Sequence, residues 1–485
     1  MGKERCLKYN VHHVCRMDTY GKRIILTTSM GTLLAVVNSS SLLVSIPQII
    51  FQLHISFFTA LWVIVSYSLV LTFLTPIFGK YSDAIGRKKL YSAGYIAFLI
   101  GSIVSSVSFN GTDLIVGRII QGVAGALLFS NSLAIITDSF RPENLRNALG
   151  INAAVIALGT AIGPLIGGVL TTFTWRTIFI FNMPFAIMGF LYSTKFIREM
   201  RARSKPQMDW TTAGFLSAFL ISFIVYLTIL PGSDPFNPYY LALAIFTLVM
   251  FVMFLVSERY SVKPILNKLI FRNKRFDITI YALVASSILR FSILFGLILL
   301  FQGPFGLTPL TAGIYIIPYA GAMGLASFFV GRIRKRGADV RYETYGLILS
   351  FVGAIFLGVF ILFFHSYEIL IVPMIVVGLG NGLFYTPNTT VMMTSVAAER
   401  RGETSGIRTL MNNLGSVLGL TVVFLILTDE VSATVIDRIF FGISTALTGT
   451  ALHNFYYAMF LIMIISGILC LTASIIVNSV KYNVP

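Results

Sequence analysis

Apolar residues in this chain come in long runs, without the two-residue alternation of strands or the one-faced periodicity of soluble helices. A helix that crosses a bilayer needs about 20 predominantly apolar residues. Fourteen stretches meet that need. They lie near Ile24–Ile50, Phe57–Phe78, Leu90–Phe109, Leu114–Thr137, Leu145–Thr171, Thr177–Thr194 and Thr211–Leu230. The others lie near Tyr239–Val256, Phe276–Phe301, Thr308–Val330, Tyr342–Phe364, Ile369–Thr394, Thr404–Leu427 and Phe455–Val477. We call them spans 1 to 14. The pattern predicts an all-α membrane protein. Pro231-Gly232-Ser233-Asp234-Pro235 marks a turn between spans 7 and 8. Thr428 to Asn454 is the longest connection on that side and is partly apolar, as a segment lying on the membrane surface would be.

The 36 lysines and arginines fall on one side of this alternation. With the N-terminus inside, all but Arg118, Arg176, Arg290 and Arg438 lie in inner loops, tails or the adjoining helix ends, where basic residues are enriched. An odd error in the span count would scramble that order. Both termini are therefore expected in the cytoplasm, in a multi-pass protein of the cell membrane. The net charge of +17 then reports topology, and no nucleic-acid partner is implied. Only 11% of residues are charged and the mean hydropathy is +0.84. Soluble chains carry about 25% charged residues, so a soluble enzyme or a disordered protein is excluded.

Three cysteines are too few for a disulfide scaffold. Cys6, His12, His13 and Cys15 cluster in the tail, but adjacent histidines rarely reach one metal and no CxxC is present. A solvated basic tail is the better reading, with no metal and no cofactor. The tail is too polar for a signal peptide. No Walker A sequence exists, which excludes ATP-driven transport, and no catalytic cluster suggests an enzyme.

The sequence contains a shifted copy of itself. At an offset of 256 residues Gly122 matches Gly378, Glu143 matches Glu399, Leu158-Gly159 matches Leu414-Gly415, and Gly163 matches Gly419. Spans 4 and 5 thus repeat as spans 12 and 13, in the same direction. Parallel repeats about an axis along the membrane normal are a transporter arrangement, with the substrate site between the halves. The division expected is a tail at 1–23, a six-helix half at 24–205, two extra helices at 206–260, a second half at 261–480 and a tail at 481–485.

Three stretches carry more than apolarity. Gly79-Lys-Tyr-Ser-Asp83-Ala-Ile-Gly86-Arg87-Lys88-Lys89 joins spans 2 and 3. Its glycines allow a tight turn, and Arg87 can reach a carboxylate on a neighbouring helix, for which Asp138 is available. Span 4 reads Leu114-Ile-Val-Gly-Arg118-Ile-Ile-Gln121-Gly122, and an arginine inside a span is by default functional. Span 5 reads Gly159-Thr-Ala-Ile-Gly163-Pro164-Leu-Ile-Gly167-Gly168. Its glycines make a smooth face for close packing, and Pro164 interrupts the backbone ladder.

In this order and spacing the three resemble the signature motifs of the major facilitator superfamily, and the last is its antiporter pattern. The span count resembles the 14-helix drug:proton antiporter branch. The resemblance implies a secondary transporter working by alternating access, a (multi)drug or small-molecule exporter that is monomeric among membrane lipid, with a small-molecule substrate and protons as its candidate coupling ion. A facilitator, or an exporter of one anionic or neutral solute without core proton coupling, is the alternative. It implies gating roles for Gly79, Asp83, Gly86, Arg87 and Asp138, and conformational roles for Gly159, Gly163, Pro164, Gly167 and Gly168. The chain departs from the branch in span 1, where Asn38 replaces the family aspartate linked to proton coupling. It departs also after span 10, where the copy of the loop motif has decayed to Gly331-Arg-Ile-Arg-Lys-Arg-Gly337.

All 19 acidic residues lie in loops or at helix ends, so no core carboxylate is expected to carry a proton. At 1.5 Å per residue, Asn38 and Arg290 each lie about 21 Å deep from inside, and Arg118 reaches the same level from outside. With Gln121, Tyr67, Asn381 and Asn412 they are the expected cavity lining. Asn38→Asp is expected to create a pH dependence and to raise acceptance of cations, measured as transport of an anionic and a cationic dye over a pH series. An unchanged profile would deny Asn38 the coupling position.

Overall fold

The computed structural model describes residues 19–140, 142–199, 209–230, 237–261, 273–333, 339–396, 401–431 and 449–479. The tail cluster of Cys6, His12, His13 and Cys15, the Pro231–Pro235 turn, the Arg334–Gly337 stretch and most of 428–454 lie outside the described residues, as does the side chain of Asp83. Helices follow the apolar runs. The first six are α1 (Thr19–Leu53), α2 (Phe57–Ile85), α3 (Arg87–Ser106), α4 (Gly111–Ser139), α5 (Pro142–Thr171) and α6 (Arg176–Phe196). Two more are α7 (Trp210–Ile229) and α8 (Pro238–Tyr260). The rest are α9 (Lys274–Gln302), α10 (Pro309–Tyr315), α11 (Ile317–Ile333), α12 (Asp339–Phe363), α13 (Tyr367–Thr394), α14 (Arg401–Glu430) and α15 (Thr450–Ser479).

The boundaries have local causes. Ser56, Asn110, Asp209, Asn237, Asn273 and Thr308 each cap the following helix by accepting a bond from its first turn. Gly86 ends α2 and begins α3 at φ 113°, a backbone region that only glycine enters without strain.

Among the described residues twelve helices are long and apolar enough to cross a membrane. The pair α10 and α11, bent by 42°, makes a thirteenth span. The count of fourteen is therefore not reached by this measure. The shortfall is α3, a helix of 20 residues that opens on Arg87-Lys88-Lys89 and carries glycine and serine on its packed face.

The repeat is visible in the packing. Gly122 of α4 lies on the Tyr67 carbonyl of α2, and Gly378 of α13 lies on the Tyr319 carbonyl of α11. Gly94 and Gly101 of α3 meet α4 at Leu128 and Gln121, while Gly346 and Gly353 of α12 meet α13 at Phe384 and Val377. The partners on α4 and α13 keep the offset of 256. Tyr67 and Tyr319, like Gly94 and Gly346, differ by 252. The extra four residues fall at the end of α12. Four residues are close to one helical turn, so the packed face is kept. Helices α7 and α8 pack on each other through Phe219 and Phe251 beside α2. Most of the apolar surface of α8, including Leu241, Leu248 and Val252, faces outward.

The two repeats meet at both ends of the bundle. At the end carrying Arg87, Met393 of α13 packs with Leu145, Ala148 and Leu149 of α5, and Gly406 of α14 faces Pro76 of α2. At the opposite end α5 touches α10 through backbone. A Cβ on Gly168 would lie 2.6 Å from the Pro309 oxygen, and one on Gly313 would lie 2.7 Å from the Pro164 oxygen. Gln302 of α9 also donates to the Val44 oxygen of α1 at 3.1 Å. Gly168→Leu should hold that end apart, because overpacking of this kind costs about 1–3 kcal/mol. A cysteine placed at buried Leu43 should then react faster with a membrane-impermeant maleimide than in the Gly168 parent. Equal rates would show that the contact does not close that end.

Candidate functional site

Between the repeats lies a cavity of about 100 Å³. The first repeat lines it with Thr32, Ser40, Tyr67, Ser132, Asn152 and Thr160, the second with Arg290, Tyr385, Arg408, Asn412, Asn413 and Ser416. No lining residue among those described is acidic.

Two guanidinium groups dominate it. Arg290 of α9 is 6% exposed and Arg408 of α14 is 5% exposed. Their Cζ atoms lie 5.1 and 4.8 Å from the centroid of the Tyr385 ring. Arg290 Nη2 donates to Asn412 Oδ1 at 2.7 Å and to Ser287 Oγ at 3.3 Å. Arg408 Nη2 donates to Thr389 Oγ1 at 2.7 Å, while its buried Nε has no acceptor among the described residues. Both cations are thus held by neutral oxygens and by the negative face of one aromatic ring.

Tyr67, Arg290 and Asn412 were expected in the lining and line it. Asn38, Arg118, Gln121 and Asn381 do not; they are buried between helices. Arg118 is 1% exposed and stacks behind the Tyr67 ring, its Cζ 4.4 Å from the centroid. It donates to Gln121 Oε1 at 2.7 Å and to the Val63 oxygen at 3.2 Å. Gln121 Oε1 also accepts from Asn38 Nδ2 at 3.4 Å, and Asn38 Oδ1 accepts from Asn182 Nδ2 at 2.8 Å. Gln121 Nε2 donates in turn to Ser102 Oγ of α3 at 3.0 Å, so the network ties α1, α2, α3, α4 and α6 together, and Tyr67 stands between it and the cavity. The reason is azimuth: depth along a helix says nothing of the side it faces. Asn381 accepts from Ser286 of α9 and donates to the Val377 oxygen.

The gating candidates divide similarly. Arg87 Nη1 lies 2.5 Å from Asp138 Oδ2 and 2.7 Å from the Ala134 oxygen, clasping the end of α4. A Cβ on Gly86 would strike the Glu199 carboxylate, whereas Gly79 faces open space. On α5, Gly159 packs on Leu33 and Val36, Gly163 on Ser40 and Gly167 on Ser41, all of α1. Pro164 and Gly168 instead meet the α10 backbone.

Arg408 and Glu343 escaped sequence reasoning. Arg408 was grouped with the basic residues of a loop, although it lies four residues inside span 13. Glu343 lies at a helix end, yet it is 0% exposed.

A sequence profile of the Major Facilitator Superfamily matches residues 28–420. The chain belongs to this superfamily. Two curated relatives are 27–28% identical to this major facilitator. The Riboflavin transporter RibZ of Clostridioides difficile is 28% identical over 399 residues, covering 82% of this chain and 86% of its own. Multidrug resistance protein 3 of Bacillus subtilis is 27% identical over 409 residues, covering 83% and 78%. Among solved structures, the human organic anion transporter MFSD10 (TETRAN) superposes with a TM-score of 0.62 at 15% identity, over 93% of this chain and 99% of that one; this likeness shows the fold. The protein is accordingly a multi-pass membrane transporter of small molecules and not an enzyme.

Gln121→Leu tests the place of the Arg118 network in this major facilitator. It leaves a buried guanidinium without its side-chain acceptor, a loss of about 1.5–3 kcal/mol for a charged group. We expect a lower thermal midpoint of tryptophan fluorescence with an unchanged order of preference among transported solutes. A changed order would return Gln121 to the substrate site.

Proposed function

We propose that this protein is a secondary active exporter of small organic molecules, selective for anionic or neutral apolar solutes over permanent cations. The observation that carries the reading is the pair Arg290 and Arg408 in a cavity with no lining acid among the described residues. A cation entering would meet two like charges across a medium that screens poorly. A carboxylate, sulfonate or phosphate could replace the neutral oxygens with charge-assisted, bidentate bonds, for which guanidinium geometry is suited. The drug-resistance name of one relative supports export of varied organic solutes.

In this reading residues 24–205 rock against residues 261–480, fourteen spans cross the cell membrane, and both termini face the cytoplasm. The protein acts as a monomer in lipid. The span 2–3 loop, with Asp83 and the Arg87–Asp138 pair, latches the cytoplasmic end while the outer end is open. The glycine face of α5 lets that helix move against α1.

The test is flux in proteoliposomes of purified protein, with carboxyfluorescein as the anion and ethidium as the permanent cation. Carboxyfluorescein should be moved and ethidium should not. Arg290→Ala and Arg408→Ala should each lower anion flux by about tenfold or more, a loss of at least one charge-assisted contact. Efficient ethidium transport by the unaltered protein would overturn the reading.

A further inference from the structure

Glu343 stands out among the described carboxylates because it is wholly buried and has no cation partner among the described residues. It lies five residues into α12, 0% exposed. Its Oε1 accepts from Asn388 Nδ2 of α13 at 2.8 Å, and Asn388 Nδ2 also donates to the Thr279 oxygen of α9 at 3.0 Å. Glu343 Oε2 and Asn388 Oδ1 are both buried, and neither has a donor among the described residues. Two orphaned acceptors on two side chains already in contact describe a missing hydrogen. A proton on the carboxyl supplies a donor where none exists, whereas an ionised carboxylate here would be a buried charge with a single bond.

The surroundings supply no other remedy. On its own helix the neighbouring charged residues are Asp339, a like charge, and Arg341, which forms no pair with it. α13 presents Asn388 and, one turn back, the Tyr385 ring. α9 presents the Thr279 carbonyl, with Arg275 one turn before it on the same helix. α15, which also packs on α12, has no Asp, Glu, Lys or Arg anywhere along its length. Among the described residues no cation pairs with Glu343.

The position is connected to the cavity. Thr389, next to Asn388 in sequence, holds Arg408 Nη2 at 2.7 Å. By the packing of the repeat, Glu343 occupies the place of Tyr91 in the first half. There the Tyr91 hydroxyl donates to the Thr27 oxygen at 3.1 Å, as Asn388 does to that of Thr279. One half thus has a phenol where the other has an acid and an amide.

We propose that Glu343, with Asn388, is a proton-binding site that couples proton movement to transport, in place of a carboxylate in the cavity. This rests on the transporter reading above. The carboxyl takes one proton from outer water, reached through the cavity, while the outer end is open and the Arg87 end is shut, and returns it to inner water when the parting of α5 from α13 wets that end. No other bond is made or broken. Binding a solute anion draws Arg408 from Thr389, which loosens the segment holding Asn388.

Two measurements test it. The first needs no substrate: infrared difference spectra of the purified protein in vesicles over a pH series. The wild type should show a protonated-carboxyl band that disappears on raising the pH; Glu343→Gln should lose it and Asp339→Asn should keep it. Gln is isosteric and still accepts from Asn388, so folding should be preserved, and a thermal midpoint at the wild-type value checks this. A band unchanged in Glu343→Gln, or no such band in the wild type, overturns the proposal. The second is carboxyfluorescein flux. Glu343→Gln should keep solute counterflow and lose all acceleration by an imposed pH gradient. Gradient-driven flux equal to wild type overturns the proposal. If the wild type moves no dye while the band behaves as stated, the anion reading fails and the proton site stands.

Discussion

Positive charge buried without a carboxylate partner is the constraint on which the rest of this structure depends. Arg118, Arg290 and Arg408 all lie inside the helical bundle, and each is held by neutral oxygens and an aromatic face. Removing a guanidinium from water is tolerated only when its donors are met. The helices must therefore bring carbonyls, amides and tyrosines to fixed places. The Arg118 network joins five helices of the first half into one body. The Arg290 and Arg408 contacts do the same for α9, α13 and α14, but on the side open to the cavity. The same chemistry thus makes a strut in one half and a receptor in the other.

The difference lies in what stands in front of the charge. In the first half the Tyr67 ring covers Arg118 on the cavity side. In the second, both arginines share Tyr385 and remain part of the wall. Arg290 stands at the repeat position of Asn38 and Arg408 at that of Asn152, so both cavity cations are present where their counterparts are amides. The two halves share a backbone plan and divide the polar work unequally, as a site between unlike surfaces requires.

Much of this was legible in the chain itself. Glycines four apart in span 5 announced a close helix contact because only a missing Cβ permits one, and the structure places α1 there. Arg87 and Asp138 could be matched because each ends a helix on the same side. Depth was readable from the rise per residue, which is why Asn38 and Arg290 were put at one level. Azimuth was not, since a long apolar run hides which face a polar residue takes. That is why Asn38, Arg118 and Gln121 were assigned to the cavity and lie behind it. Glu343 and Arg408 were hidden by a different assumption, that a charge near a helix end is wet. In a bundle of tilted helices an end can be as dry as a centre.

Where α5 meets α10, Gly168 and Gly313 each lie against the main chain of the other helix. Dispersion between such surfaces fades within about an ångström of separation. A closure of this kind has no long-range pull. It behaves as a snap rather than a spring: the two backbones are either seated or indifferent to each other. Movement between the two conditions then needs little displacement.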